Sequence, residues 1–166
     1  MWHKSQFSEN GMVSMPKEGK QRPVRGRRSH YVQLRAITTR WKDNDVYGHV
    51  NNVEYYSFFD TAVNAMLIEQ GLLDPQTSPV IGLVVETGCR YFAPISFPET
   101  VDAGVRVAKL GTSSVRYEIG LFKLGEDEAV AEGHFVHVYV DSTDRRPAPL
   151  PQDLRTFLTT LVRDAA

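Results

Sequence analysis

Asn51-Asn52-Val53-Glu54-Tyr55-Tyr56-Ser57-Phe58-Phe59-Asp60-Thr61-Ala62-Val63-Asn64-Ala65-Met66-Leu67-Ile68-Glu69-Gln70-Gly71 is the longest helical signal in the chain. Its apolar residues cover most of a helix circumference, leaving a narrow polar stripe of Glu54, Ser57, Thr61 and Asn64 with Asp60 at its margin. A helix this apolar is buried on nearly all sides instead of lying on a surface. Gly71 stands where a C′ residue ends a helix, so the pattern predicts a helix from about Asn51 to Gln70.

The flanking segments are strands. Upstream, Val32, Leu34 and Ala36 alternate with Gln33 and Arg35, the pattern of a half-buried strand running to about Trp41. Lys42-Asp43-Asn44-Asp45-Val46-Tyr47-Gly48-His49 is polar and holds a glycine, so it breaks that strand. Downstream, four strand signals follow: about Val80 to Phe92, then Val101 to Val107, Val115 to Leu121, and about Ala129 to Val140. Gly111-Thr112-Ser113-Ser114 and Gly125-Glu126-Asp127-Glu128 join alternating runs, which means antiparallel hairpins. After Pro147 and Pro149 a short amphipathic helix carries Leu154, Phe157, Leu158 and Leu161 on one side. The class is α+β: a five-stranded antiparallel sheet curled around the long helix, plus a short C-terminal helix. One sheet still leaves part of the helix and two sheet edges open, and dimerisation would cover the helix and can pair an edge.

Composition bounds the function. The 166 residues suit one domain. The single cysteine, Cys89, excludes an intramolecular disulfide framework or a multi-cysteine zinc knuckle. No apolar run approaches the roughly 20 residues that span a bilayer, and residues 1–29 lack the apolar stretch of a secretory signal. The cytoplasm is the expected compartment. Net charge is −1, yet Lys4, Lys17, Lys20, Arg22, Arg25, Arg27 and Arg28 face only Glu9 and Glu18 near the N-terminus. Poor in aliphatics and rich in glycine and proline, residues 1–29 read as a disordered basic tail, and residues 30–166 as the domain. The tail raises the question of a nucleic-acid or anionic partner, but the expectation is no nucleic acid and no membrane.

The densest group of chemical side chains, Asp43, Asp45, His49, Asn51 and Asn52, lies where the first strand meets the long helix. Amides in a helix's first turn lack internal partners and face the positive end of the dipole. They suit an oxyanion, while a carboxylate just upstream can attack a carbonyl or activate water. Asp and Asn are also ordinary turn and cap residues. His49 is open to three readings: general acid, orienting donor or structural histidine. Asp60 could orient water or pair with a backbone or partner-chain group. Cys89 reads as a core thiol. His134 and His137 are three apart on a strand and point to opposite faces, a poor metal pair. No metal-ligand pattern, phosphate loop or serine elbow occurs.

The run Arg40-Trp41-Lys42-Asp43-Asn44-Asp45-Val46-Tyr47-Gly48-His49-Val50-Asn51-Asn52-Val53-Glu54-Tyr55-Tyr56, with Asp60 beyond, resembles the signature of 4-hydroxybenzoyl-CoA thioesterase-like hotdog proteins. Arg90-Tyr91-Phe92-Ala93-Pro94, Gly111-Thr112-Ser113-Ser114 and Arg145-Arg146-Pro147-Ala148-Pro149-Leu150-Pro151 extend the resemblance over about residues 31–160. It implies a hotdog fold and hydrolysis of acyl-coenzyme A thioesters. It also implies a homodimer with sites at the subunit interface, a pairing of dimers into tetramers as a common outcome, and neither metal nor redox cofactor. The catalytic aspartate falls on Asp45, the motif histidine on His49, and the backbone oxyanion donor near Asn51 or Asn52. Asn51, Tyr55, Asp60 and Arg90 are the expected substrate contacts, with Arg90, Arg106 and Arg116 as candidates for phosphate. Tyr55 and its aromatic neighbours either line an acyl pocket or fill the core. Hotdog domains also serve as hydratases, dehydratases and acyl-CoA-binding scaffolds, so fold alone does not fix the reaction.

Overall fold

The computed structural model describes residues 24–163. Five antiparallel strands, β1 (Gln33–Thr38), β2 (Val80–Tyr91), β3 (Thr100–Leu110), β4 (Ser114–Lys123) and β5 (Ala131–Asp141), form one sheet in the order β1-β3-β4-β5-β2. The long helix α1 (Asn52–Glu69) packs on one face, and α2 (Gln152–Thr160) closes one end through buried Leu154 and Leu158. This is the expected hotdog arrangement.

α1 begins and ends where its local signals lie. Asn51 caps it by accepting from the Val53 N–H at 3.3 Å, and Gly71 takes a φ of +67° just beyond the last turn. Tyr55, Phe58, Phe59, Ala62, Val63, Met66 and Leu67 form its buried face. Phe59, wholly buried, lies on β5 at Gly133, whose register partners are Cys89 and Ile119. Burying a phenylalanine contributes about 2–3 kcal/mol. The opposite side of the helix is open in the single chain: Val53 is 59% exposed, with Ser57, Asp60, Thr61 and Ile68 beside it.

β1 is shorter than its sequence suggests, and its phase differs. Arg35 pairs with Glu69 on α1 and Ile37 is buried, so Gln33, Arg35 and Ile37 face the helix. Leu34 lies on the outer face against Gly104 and is 47% exposed. The alternation misleads because the outer face is also covered. Tyr31 lies over it, its ring occupying the space where side chains at Gly104 and Gly120 would stand. Its hydroxyl donates to Glu132 at 3.1 Å, and its edge meets Phe122.

Most of the expected tail, residues 1–23, lies outside the described residues. Residues 24–29 are described, and they run along the sheet as a strap. Gly26 accepts from the Ala129 N–H at 2.9 Å, and the Arg28 N–H donates to Asp127 at 2.9 Å. The Arg28 guanidinium pairs with Asp102 and donates to the carbonyls of Lys123 and Glu126. Contacts of the domain thus begin before residue 30.

The two β5 histidines occupy opposite faces. His134 bonds Glu86 at 2.9 Å on the outer face. His137, 4% exposed, sits on the inner face beside Tyr117, Phe135 and Tyr139. Among the described residues its Nε2 has no partner. Burial pushes its pKa from 6.5 down to about 4. The unfolded chain therefore binds the extra proton first. Stability held above pH 6.5 is lost as pH falls towards 4, by about 3 kcal/mol for this group. Urea unfolding at pH 7 and pH 4 should show that His137→Leu loses about 3 kcal/mol less than wild type over this interval. Equal losses would refute the neutral buried imidazole.

Candidate active site

The site loop hangs between a buried anchor and the helix. Asp43, fully buried, ends a short 3-10 turn, Trp41–Asp43. Its carboxylate accepts from the Arg40 N–H at 2.7 Å and Nε at 2.9 Å, and Arg40 also reaches Glu54 in the first turn of α1. The Asp43 carbonyl accepts from the Asn51 N–H at 2.7 Å. Asp43 is thus the bolt that fixes the loop to the helix start, and its charge is consumed in doing so.

Between these anchors, Asn44 bridges Val50, and the Asp45 N–H donates to the His49 carbonyl at 2.8 Å. Gly48, at a φ of +81°, turns the chain back. Asp45 is half-buried. Its Oδ1 accepts from the Tyr47 N–H at 2.8 Å and weakly from the His49 N–H at 3.4 Å. Among the described residues no group bonds its Oδ2. Asn44 and Val50 tie the loop to residues 95–97 through Phe97 N–H to Asn44 Oδ1 at 3.0 Å and Val50 N–H to the Ile95 carbonyl at 2.7 Å. His49 is exposed, and so is the loop apex, with Val46 93% exposed and Tyr47 beside it.

The first turn of α1 distinguishes the two candidate oxyanion amides. The Asn51 N–H is taken by Asp43, Val53 by the Asn51 side chain, and Glu54 by the Asn51 carbonyl. Among the described residues the Asn52 N–H has no acceptor. It is an open donor at the positive end of an 18-residue helix. The Asn52 carbonyl accepts from the Tyr91 hydroxyl at 3.1 Å, which ties this turn to β2.

Asp45 and His49 on the loop, and Asn51 and Asn52 at the helix start, therefore lie at one end of α1. Tyr55 is buried, with its ring edge-on to Tyr91 at 4.9 Å. Asp60 lies about two turns further along, on the open stripe, where partial burial raises its pKa. Arg90 is not brought to this group: it projects from the outer face of β2, bonded to Glu132 at 3.2 Å. Tyr91 is the neighbour that sequence reading missed. Beside it, burial pushes the Cys89 thiol up to about 11, so Cys89 stays protonated at neutral pH. Among the described residues, no cluster of three or more His, Cys, Asp or Glu side chains suits a metal ion. None of the helices there is long and apolar enough to cross a membrane.

A family model for the thioesterase-like superfamily matches residues 39–158, which include the whole loop-and-helix site. The chain belongs to the thioesterase-like superfamily. Among solved structures, the PA5185 protein from Pseudomonas aeruginosa is 55% identical, covering 86% of this chain and 100% of its own, with a TM-score of 0.84. The PA2801 protein of the same species, provisionally described as a thioesterase, is 32% identical over 77% of this chain and 98% of its own, at a TM-score of 0.71. The gentisyl-coenzyme A thioesterase BH1999, 24% identical over 76% of this chain and 99% of its own at 0.67, shares the fold. No curated protein matches.

Proposed function

We propose that this member of the thioesterase-like superfamily hydrolyses acyl-coenzyme A thioesters to the free acid and coenzyme A. The observation that carries this reading is the Asn52 N–H, the open amide of the helix start, preceded by a loop whose Asp45 carboxylate has one unbonded oxygen. The thioester oxygen would sit on that amide as it becomes an oxyanion. Asp45 would either take a proton from water, whose oxygen adds to the carbonyl carbon, or attack that carbon itself. Collapse of the tetrahedral intermediate breaks the C–S bond, and the departing thiolate takes up a proton. After direct attack the acyl group is left on Asp45 as an anhydride, which water then hydrolyses to free acid and carboxylate. His49, exposed at the loop end, would orient the thioester or protonate the sulfur. Tyr55 holds the first turn from behind, and Asp60 faces the open side of the helix.

That open side supports a second part of the proposal, a homodimer. Val53 and Ile68 on α1, Val46 and Tyr47 at the loop apex, and Leu83, Val84 and Val85 on the β2 edge are all exposed. A second copy would cover this apolar surface and close the site.

The test is release of free thiol from a panel of short-chain, long-chain and aromatic acyl-CoAs. Hydrolysis of one class above the others supports the proposal and names the acyl group. Absence of thiol with every substrate, or conversion of 3-hydroxyacyl-CoA without thiol release, would replace it with a binding scaffold or a dehydratase.

A further inference from the structure

Strand β1 turns its leucine outward and its cation inward. Leu34 is 47% exposed on the outer face, while Gln33 and Arg35 face α1. A guanidinium directed into the layer between helix and sheet is costly unless a group there pairs with it. Local rules are broken in this way mostly at functional positions.

The space that Arg35 faces is a cavity of about 260 Å³ between β1, β3 and the last turns of α1. Ala62 and Met66 of the helix and Ala103 and Val105 of β3 form its apolar walls, all four buried. Interiors are close-packed, and here Ala62 and Ala103 leave the space open. Arg35 and Glu69 are the only charged side chains lining it among the described residues, and they pair with each other. The cavity is not the thioester site. Ala62 lies ten residues beyond Asn52, about 15 Å along the helix. Buried Tyr55, Phe58 and Phe59 occupy the turns between them.

We propose that this cavity binds a small apolar carboxylic acid, whose carboxylate takes the place of Glu69 on Arg35. The planar guanidinium donates two parallel bonds to a carboxylate and keeps its charge at any physiological pH. Glu69 is a weak competitor. It is the last residue of α1, where the negative end of the dipole repels a carboxylate. Its side chain is 57% exposed, against 30% for Arg35. Glu69 can therefore swing into solvent at little cost, and the apolar tail of the ligand lies on the two alanines, Met66 and Val105. The volume equals that of about nine water molecules, which suits benzoate or hexanoate. Thioester hydrolysis releases acids of this class, and only that connection rests on the hydrolase reading.

Titration of the full chain, labelled with carbon-13 at its methionine methyl groups, with benzoate and hexanoate tests the site without any turnover. Met66 is the one methionine outside residues 1–15, so Met66→Leu assigns its signal. Saturable binding that moves this signal is expected, and benzamide and hexanamide should leave it in place. Arg35→Gln should weaken binding about tenfold or more, the loss of one charge-assisted pair. Glu69→Gln should tighten it, because the competing carboxylate is gone. Should Arg35→Gln melt early, the Glu69→Gln gain and the Met66 shift still decide. A wild type unsaturated at about 10 mM acid, amides that bind as well as acids, or a Met66 signal that stays still overturns the proposal. So does weaker binding in Glu69→Gln, which would point to an ammonium-bearing ligand. Acid binding in a protein that releases no thiol would retain the cavity and sink only the hydrolase.

Discussion

Asp45→Asn is expected to lower kcat for thioester hydrolysis about 100-fold or more while leaving folding and oligomeric state unchanged. The two oxygens of Asp45 do different work. Oδ1 holds the loop by accepting from the Tyr47 and His49 amides, and an asparagine oxygen accepts those bonds equally well. Oδ2 has no bond to lose, so the substitution removes the charge and basicity that the reaction needs and little else. Asp43→Asn provides the contrast, because that carboxylate is wholly buried and bonded to Arg40. It should act mainly through stability. Free-thiol kinetics beside circular dichroism and sedimentation check both. An Asp45→Asn enzyme at wild-type rate would eliminate Asp45 as nucleophile and as base.

Gly133→Ala is expected to cost about 3 kcal/mol, at the upper end of overpacking effects. A Cβ at this position would stand 2.2 Å from the Phe59 ring and 2.9 Å from the Gly88 carbonyl. Neither can step aside, since Phe59 is wholly buried in α1 and Gly88 is held in the β2–β5 ladder opposite His134. The helix must lift from the sheet, or the ring must leave its rotamer. Shrinking the ring should relieve the clash, so Gly133→Ala should cost less in a Phe59→Leu background than in wild type. A urea-unfolding double-mutant cycle measures that coupling. Additive effects would mean that the helix does not rest on Gly133.

The legible parts of the fold were those with local causes. α1 ends where Asn51 and Gly71 place it, because cap chemistry and a left-handed glycine act within a turn. The strands and hairpins followed from alternation and turn residues in the same way. β1 went astray because alternation reports only that two faces differ. Tyr31, folded back over Gly104 and Gly120, gives the outer face an apolar patch beside Leu34 as well. The cluster from Asp45 to Asn52 was legible because it is contiguous in the chain. Which first-turn amide stays open was not, since that depends on the Asp43 carbonyl occupying the Asn51 N–H. Arg90 and Tyr91 were bound to point to opposite faces. Only the register with β5 decides that Tyr91 meets α1 and Arg90 the outer face.

The strand order also sets a schedule for synthesis. β3, β4 and β5 pair with their neighbours in sequence, but β2 pairs only with β5, and β1 only with β3. On the ribosome β2 is complete at Tyr91, whereas its partner is complete at Asp141. At translation speeds of about 5–20 residues per second the gap lasts about 2–10 s. Throughout it, β2 and the apolar side of α1 have emerged without the surface that buries them, and a waiting strand edge can pair with another chain. Slowing initiation so that nascent chains are spaced further apart would therefore raise the soluble yield, though the finished molecule is no more stable for it.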